Sequence, residues 1–177
     1  MEFGGIFGQI FQMQVLQTPR LILRGLETSD DKVIFQLRSS EEVNRYLERK
    51  PAKTIEDARA HMRRLFEGPD LFFWGLESRD EKKLIGTICL WNLERDKNIA
   101  EIGYELLPAY HGRGFMDEAI KAVVKYAFNI MKLDSITAWT HKENVASFRL
   151  LEKNGFTLSE EERGNIDPML VYELKSK

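Results

Sequence analysis

The clearest alternation of hydrophobic and polar positions lies in the second half of the chain. Residues 99–107 alternate with a period of two, which predicts a strand with one apolar and one polar face. After a short polar turn, apolar residues recur at helical spacing and predict a long helix. The buried stripe of this helix is expected to consist of Ala119, Ile120, Val123, Val124, Ala127, Phe128 and Met131.

The remaining sequence adds strands and helices around this unit. Three short helices are predicted early in the chain. The third begins at a capping-box pattern, Thr54 to Asp57, and its buried stripe is expected to consist of Ala58, Met62, Leu65 and Phe66. A helix over 145–154 is expected to end at Gly155. Further strands are predicted over residues 21–26, 71–77, 84–91, 135–140, 156–158 and 169–174. This layout predicts the α+β class, with one central mixed sheet of about seven strands.

The first residues form a separate segment. Phe3, Ile6, Phe7, Ile10 and Phe11 fall on one side of a helix, which predicts an amphipathic extension over residues 1–13. The stripe is suited to docking on its own domain, to an interface with a partner chain or to a membrane contact. Residues 14–177 are expected to form a single domain.

Composition narrows the class of protein. The chain has 177 residues, 43% hydrophobic and 31% charged, which is typical of one soluble domain. A net charge of -2 lacks the basic excess of a nucleic-acid-binding protein, and a single cysteine excludes an internal disulfide framework. Three scattered histidines form no metal-binding pattern, and no apolar run is long enough to span a membrane. We therefore expect a cytoplasmic monomer or homodimer without a metal, a nucleic acid or a membrane as partner.

The turn between the central strand and the long helix carries the candidate chemistry. Gly112 and Gly114 lack a Cβ and allow the backbone to approach a ligand closely. The helix that follows directs its unpaired N–H groups and the positive end of its dipole toward the turn. Such a turn is suited to a phosphate or pyrophosphate group.

Two common phosphate-binding turns do not fit. A P-loop requires Lys followed by Ser or Thr after its second glycine, where this chain has Phe115 and Met116. A dinucleotide turn requires a third glycine, where this chain has Asp117. Asp134 lies near the place of a ribose-binding acid, but the hairpins ahead of the turn are not the repeated βα units of a dinucleotide fold.

The turn resembles the signature of the GNAT superfamily of N-acetyltransferases, Q/R-x-x-G-x-G/A, at His111-Gly112-Arg113-Gly114-Phe115-Met116. His111 and Met116 depart from that signature. Three further segments are similar to one branch, the N-terminal acetyltransferases of ribosomal proteins. They are Thr18-x-Arg20-Leu21-x-Leu23-Arg24, then Ala100-Glu101-Ile102-Gly103-Tyr104, and then Asn144-x-x-Ser147 with Glu152-Lys153-Asn154-Gly155-Phe156.

The resemblance implies a three-layer α/β/α fold and acetyl-CoA as the acetyl donor. It assigns the pyrophosphate to backbone N–H groups of the turn, with Arg113 as an added charge. It assigns the thioester carbonyl to a backbone N–H near Leu106 and Leu107, and the pantetheine arm to Asn144. The implied cofactor-binding set is Leu106, Leu107, His111, Gly112, Arg113, Gly114, Phe115, Met116, Asn144 and Ser147.

The resemblance also implies catalytic roles. Glu101 is expected to accept the amine proton or to position a water that does so, with Glu105 as the other candidate on the same strand face. Many relatives protonate the leaving thiolate with a tyrosine, but Leu151 stands in that place here. The ribosomal-type branch has a serine where Ser147 stands, and this residue is expected to bind cofactor or to donate that proton.

The acceptor is expected to be a primary amine. This amine is expected to attack the thioester directly, without an acetyl-cysteine intermediate, because Cys89 lies in an apolar run and is predicted to be a core residue. The branch resemblance favours the α-amine of a protein or peptide. A small-molecule amine (a polyamine, an amino sugar or an amino-acid-like compound) and a non-catalytic acyl-CoA-binding role stay open.

Overall fold

A computed structural model describes residues 13–67, 71–159 and 168–177. The amphipathic extension predicted over residues 1–13 lies, except for Met13, outside the described residues. Within them, eight strands form one sheet. The strands are β1 (Leu16–Gln17), β2 (Leu21–Arg24), β3 (Phe72–Ser78), β4 (Lys83–Glu94), β5 (Ile99–Leu106), β6 (Ser135–His141), β7 (Thr157–Leu158) and β8 (Met169–Lys175). The helices are α1 (Asp31–Ser39), α2 (Glu41–Asn44), α3 (Ile55–Glu67), α4 (Phe115–Asn129) and α5 (Val145–Lys153).

The strand order is β1-β2-β3-β4-β5-β6-β8-β7. Only the β5–β6 pair is parallel among the described pairs, so the predicted mixed sheet is confirmed. The strand missing from the prediction is β1, a two-residue element in which Leu16 pairs with Leu23. Two residues are too few to show an alternating pattern, and this strand exists through its pairing with β2.

The helices cover the sheet on both faces, which confirms the three-layer arrangement. The larger core joins one face of the sheet to α4 and α5, with Ile120, Val123 and Leu151 fully buried. A smaller core joins α1 and α3 to the other face, around Ile34, Leu37, Ala58 and Met62. In this article, the surface on the α1–α3 side that carries Glu101, Gly103 and Glu105 is called the acceptor face.

The apolar stripes predicted for α4 and α3 differ in how many of their residues are buried in the structure. Of the seven residues predicted for the α4 stripe, five are buried, including Met131 just beyond the end of the helix, and Val124 and Phe128 are half-buried. The prediction for α3 was wrong at Phe66, whose exposed fraction is 53%. At 100° per residue, Leu65 lies about 20° from the direction of Ala58, whereas Phe66 lies about 80° away. Phe66 therefore turns out of the stripe, and Leu65 alone continues it.

The candidate site lies at the gap where the sheet opens between β5 and β6. The pairs between β5 and β6 run only from Ile99↔Ser135 to Glu101↔Thr137, and the two strands are not paired beyond them. The second half of β5 therefore has β4 on one side and an open edge on the other. The turn and the N-terminus of α4 follow directly from that half of β5.

Close packing of β4 against β5 fixes the position of this free half-strand. A Cβ at Gly86 would lie 2.4 Å from the Glu105 carbonyl oxygen and 2.8 Å from Leu106 Cδ1. We expect Gly86→Ala to lower the free energy of unfolding by about 1–3 kcal/mol, since β5 must move. Denaturant unfolding measures the loss, and a change within 0.5 kcal/mol, the scale of an ordinary surface substitution, would contradict this packing.

Candidate active site

The turn adopts the backbone that its glycines permit. Gly112 has φ +69° and Gly114 has φ +79°, both in the left-handed region that residues with a side chain disfavour. Gly114 is the N-cap of α4, and no side chain caps this helix end. The first N–H groups of α4 therefore have no partner within the helix and face the ligand side of the turn.

The segment around Thr18 and Arg20 holds the turn from behind. An Arg20 Nη donates to the Arg113 carbonyl at 2.9 Å, and Arg20 Nε donates to Glu118 on α4 at 2.8 Å. The Thr18 hydroxyl donates to the same Glu118 carboxylate. The Arg113 guanidinium lies over the rings of Tyr110 and Phe115, 5.4 and 5.1 Å from their centroids. The connection between β1 and β2 is thus linked directly to the candidate phosphate site.

A cavity of about 750 Å³ opens beside the turn, between the free half of β5 and α5. Eight of the ten predicted cofactor-binding residues line it: Leu106, His111, Gly112, Gly114, Phe115, Met116, Asn144 and Ser147. Leu107 and Arg113 do not line it, and neither does Glu101. Lining residues outside the predicted cofactor-binding set include Glu42, Arg45, Tyr104 and Lys153.

His111 ties the turn to the end of β5. Its Nε2 lies 2.9 Å from the Leu106 carbonyl oxygen, which only accepts, so Nε2 carries a proton. Its Nδ1 lies 3.3 Å from a carboxylate oxygen of Glu42 on α2. The residue that departs from the family signature therefore makes polar contacts on two sides of the cavity.

The backbone beside the gap distinguishes Leu106 from Leu107. The Leu107 N–H donates to the Ile85 carbonyl of β4 at 2.9 Å. Because N–H directions alternate along an antiparallel strand, the Leu106 N–H points away from β4, toward the gap. Of the two residues expected near the thioester carbonyl, Leu106 has the suitable direction.

Two hydroxyls meet across the gap. Asn144 caps α5, as predicted, and its Oδ1 accepts from the Ser147 N–H at 3.2 Å. Ser147 Oγ lies 2.9 Å from the Tyr104 hydroxyl of β5. Burial raises the pKa of Tyr104 to about 12, so its proton is retained at neutral pH. Sequence alternation assigned Tyr104 to the apolar face of β5 correctly but gave no sign that its hydroxyl reaches the cavity.

Glu101 and Glu105 share the acceptor face but differ in environment. The Glu105 carboxylate accepts two hydrogen bonds from the Arg49 guanidinium, at 2.5 and 2.8 Å. Glu101 has no such cation among the described side chains, and burial raises its pKa to about 7, against the opposing effect of a hydrogen bond with Asn92. Asn92 lies at a bulge of β4 with φ +50°. Glu101 is therefore the better candidate for a base near neutral pH.

Cys89 is poorly suited to a covalent mechanism. It pairs with Gly103 of β5, and burial together with the carboxylates of Glu105 and Glu101 raises its pKa to about 12. A thiol with this pKa holds almost no thiolate at pH 7.

Comparison with known proteins agrees with this geometry. The acetyltransferase (GNAT) domain family matches residues 20–157, most of the chain. The chain belongs to the GNAT family of acetyltransferases. The family predicted from the turn and its three companion segments is confirmed.

One relative and two solved structures show the extent of the likeness. The uncharacterized N-acetyltransferase YoaA of Bacillus subtilis (strain 168) is 40% identical over 145 residues, covering 80% of this chain and 82% of YoaA. A GNAT-family acetyltransferase structure from Bacillus anthracis has a TM-score of 0.81 at 25% identity, covering 92% of this chain and 98% of its own. A spermidine N-acetyltransferase of Vibrio cholerae, in complex with CoA and spermine, has a TM-score of 0.74 at 24% identity, covering 88% and 94%.

The described residues include neither a helix suited to span a membrane nor a cluster of side chains suited to bind a metal ion. Within residues 13–67, 71–159 and 168–177, no helix is long and apolar enough to cross a membrane. The same residues contain no group of three or more His, Cys, Asp or Glu side chains placed to hold a metal ion.

Proposed function

We propose that this chain transfers an acetyl group from acetyl-CoA to the α-amine of a peptide or protein, by direct attack. The observation that carries the proposal is the placement of Glu101 and of the Tyr104–Ser147 pair. They lie on opposite faces of β5: Glu101 is the last residue paired with β6, and Tyr104 lies in the half-strand just beyond it, where the sheet opens. An amine reaching Glu101 and a thiol leaving toward Ser147 would approach the gap from opposite sides.

The residues present fit the donor. Acetyl-CoA supplies an activated acetyl thioester, two linked phosphates and a long pantetheine arm. The unpaired N–H groups at the N-terminus of α4 and the backbone of Gly112 and Gly114 suit the pyrophosphate. Asn144 and Leu106 line the cavity farther along, where the arm and the thioester would lie.

The lower pKa of an α-ammonium favours an α-amine as acceptor. Proton transfer from an α-ammonium, with a pKa near 8, to a carboxylate of pKa about 7 costs about 1.4 kcal/mol. The same transfer from a lysine ammonium, with a pKa near 10.4, costs about 4.6 kcal/mol. Among equally well bound amines, the α-amine therefore reacts faster. The branch resemblance of three sequence segments supports the same acceptor.

The hydroxyl pair completes the proton balance. Glu101 accepts one proton from the ammonium before attack. As the amine nitrogen bonds to the acetyl carbon and the carbon–sulfur bond breaks, the nitrogen gives a second proton to solvent and the sulfur gains one. Ser147 Oγ can donate the proton to sulfur and recover one from the Tyr104 hydroxyl 2.9 Å away, which is reprotonated from solvent through the cavity. The pair takes the place of the tyrosine that many relatives have where Leu151 stands.

We expect Ser147→Ala and Tyr104→Phe each to lower kcat by about 10- to 100-fold, because the leaving thiolate loses its proton source. The affinity for acetyl-CoA should change less than threefold. Tyr126→Phe is the matched control, since it removes another buried tyrosine hydroxyl, one packed against Phe72 and Trp74 in the core. Initial-rate kinetics of all three variants measure the effect. Wild-type kcat in both cavity variants would refute the role of the pair.

A small-molecule amine is the second candidate acceptor. The Vibrio cholerae neighbour is a spermidine N-acetyltransferase whose structure holds spermine, and this chain shares its fold. A polyamine ammonium has the higher proton-transfer cost given above for lysine. Assays with spermidine alongside a peptide distinguish the two acceptors.

Calorimetric titration tests the donor first. The proposal predicts that the purified protein binds acetyl-CoA and CoA with micromolar affinity and does not bind NAD. Catalysis then separates an enzyme from a non-catalytic acyl-CoA-binding protein, since only the enzyme releases CoA thiol when a peptide is added. If the protein does not bind acetyl-CoA, the proposed function is refuted.

A further inference from the structure

The acceptor face carries a second charged cluster beyond Glu101. It is built by Arg38 of α1, Arg49 of the segment between α2 and α3, His61 of α3 and Glu105 of β5. Neither the GNAT signature nor the cavity beside the turn includes these side chains. Their side chains are half-buried.

His61 and Arg38 contact each other directly. An Arg38 Nη lies 3.3 Å from His61 Nε2, and a guanidinium only donates, so His61 Nε2 is the acceptor. His61 is therefore neutral in this contact. Burial and the charges of Arg38, Arg49 and Arg64 lower its pKa to about 4, in agreement with that assignment. Its ring meets Phe73 edge-on, with centroids 6.5 Å apart.

The charges of the cluster do not balance. Glu105 binds Arg49 through both oxygens, and Arg49 is fixed further by the Asn44 side-chain oxygen at 2.6 Å. Among the described side chains, Arg38 has no carboxylate within ion-pair distance, and its side chain donates to the neutral His61. Burial and the nearby Arg49 lower the pKa of Arg38. Glu105 acts on Arg38 only from a distance, so two half-buried arginines share one carboxylate, and an anion placed beside Arg38 would offset the excess positive charge.

The cluster lies within reach of the candidate base. Phe73 pairs with Cys89 of β4, and Cys89 pairs with Gly103 of β5, two residues from Glu101. Neighbouring strands are about 4.8 Å apart, so this row spans about 10 Å. A Cβ at Gly103 would lie 3.3 Å from Cys89 Sγ and 3.7 Å from Trp91 Nε1. The glycine therefore leaves the surface between Glu101 and the arginines open.

We propose that the acceptor carries an anionic group, a carboxylate or a phosphate, at a distance from its reacting amine, and that Arg38 binds this group. His61 orients the guanidinium, and the ion pair with Glu105 keeps Arg49 from supplying a second free charge. This inference rests on the proposed function, since it adds a specificity-determining residue to the same acceptor site. A purely cationic acceptor such as a polyamine would gain nothing from Arg38.

Binding without turnover tests the inference. The protein is E101Q saturated with acetyl-CoA, and the ligands are tripeptide amides that differ only in their third residue: Ser-Ala-Glu, Ser-Ala-Gln, Ser-Ala-Lys and Ser-Ala-phosphoserine. Calorimetry should give a Kd at least tenfold lower for the Glu or the phosphoserine peptide than for the Gln peptide, and the two anionic peptides distinguish carboxylate from phosphate. The Lys peptide should bind most weakly.

Variants of Arg38 test whether this residue causes the preference for anionic peptides. Adding Arg38→Gln should abolish it, and Arg38→Lys should retain part of it. Arg63→Gln is the matched control, because it removes an exposed arginine from α3 and should leave the preference unchanged. Equal affinities for all four peptides, no measurable affinity for any, or an unchanged preference in Arg38→Gln would overturn the inference. A failure to bind acetyl-CoA would instead remove the proposed function.

Discussion

Replacing Glu101 by Gln is expected to lower kcat/KM by about 10²- to 10⁴-fold while the affinity for acetyl-CoA stays within threefold of wild type. The substitution removes the proton acceptor and keeps the shape of the side chain. In the wild type, kcat/KM should rise with pH through about 7, because Glu101 acts as a base only when ionised. This rise of kcat/KM with pH, the acid limb of the profile, should be absent from the residual activity of the Glu101→Gln variant.

The same variant should be more stable than the wild type at alkaline pH. Burial favours the protonated carboxyl, so the folded-state pKa of Glu101, about 7, lies above the ordinary value of 4.5 for a glutamate. The native state therefore loses stability as pH rises from about 4.5 to about 7, and Gln removes this loss. We expect Tm at pH 8 to rise by about 2–4 °C and Tm at pH 4.5 to stay close to wild type.

Glu105→Gln is the control for both measurements. Its carboxylate binds Arg49, and the acid limb near pH 7 should persist when it is replaced. Wild-type activity in Glu101→Gln, or loss of the acid limb in Glu105→Gln instead, would transfer the role of base away from Glu101.

The second large effect is expected at the turn. Gly114→Ala should weaken acetyl-CoA binding by at least 30-fold, because a Cβ at φ +79° reshapes the backbone that faces the pyrophosphate. The left-handed conformation should also lower the free energy of unfolding by about 1–2 kcal/mol. Calorimetry and denaturant unfolding measure the two effects separately.

Gly155 offers a matched control for this substitution. It has φ +85° just after α5 and does not line the cavity. Gly155→Ala should lose similar stability and keep wild-type affinity for acetyl-CoA. Equal affinity losses in the two variants would mean that the turn does not hold the donor.

The sequence predicted much of this fold because the decisive patterns are local. The alternation along β5, the stripe of α4 and the glycines of the turn each lie within one element. The cap formed by Asn144 and the end of α5 at Gly155 are likewise set by a few adjacent residues. Phe66 and β1 escaped prediction for the physical reasons given above, helical phase and pairing between distant segments.

The candidate site was less predictable because it depends on contacts between distant segments. Tyr104 and Ser147 are 43 residues apart, and Arg49 and Glu105 are 56 residues apart. The second of these contacts separates the two acceptor-face glutamates, which the alternation of β5 left equivalent. The excess charge of Arg38 likewise exists only once α1, α3 and the sheet have packed together.

Acetylation of one peptide that carries both a free α-amine and a lysine side chain tests the central claim most directly. The peptide, with N-terminal Ser and a glutamate as its third residue, is incubated with the protein and acetyl-CoA, and the product is mapped by tandem mass spectrometry. We predict acetylation at the α-amine, with little at the lysine and none without the protein. Acetylation confined to the lysine, or no acetylation at all, would contradict the assignment of this chain as an α-amine acetyltransferase.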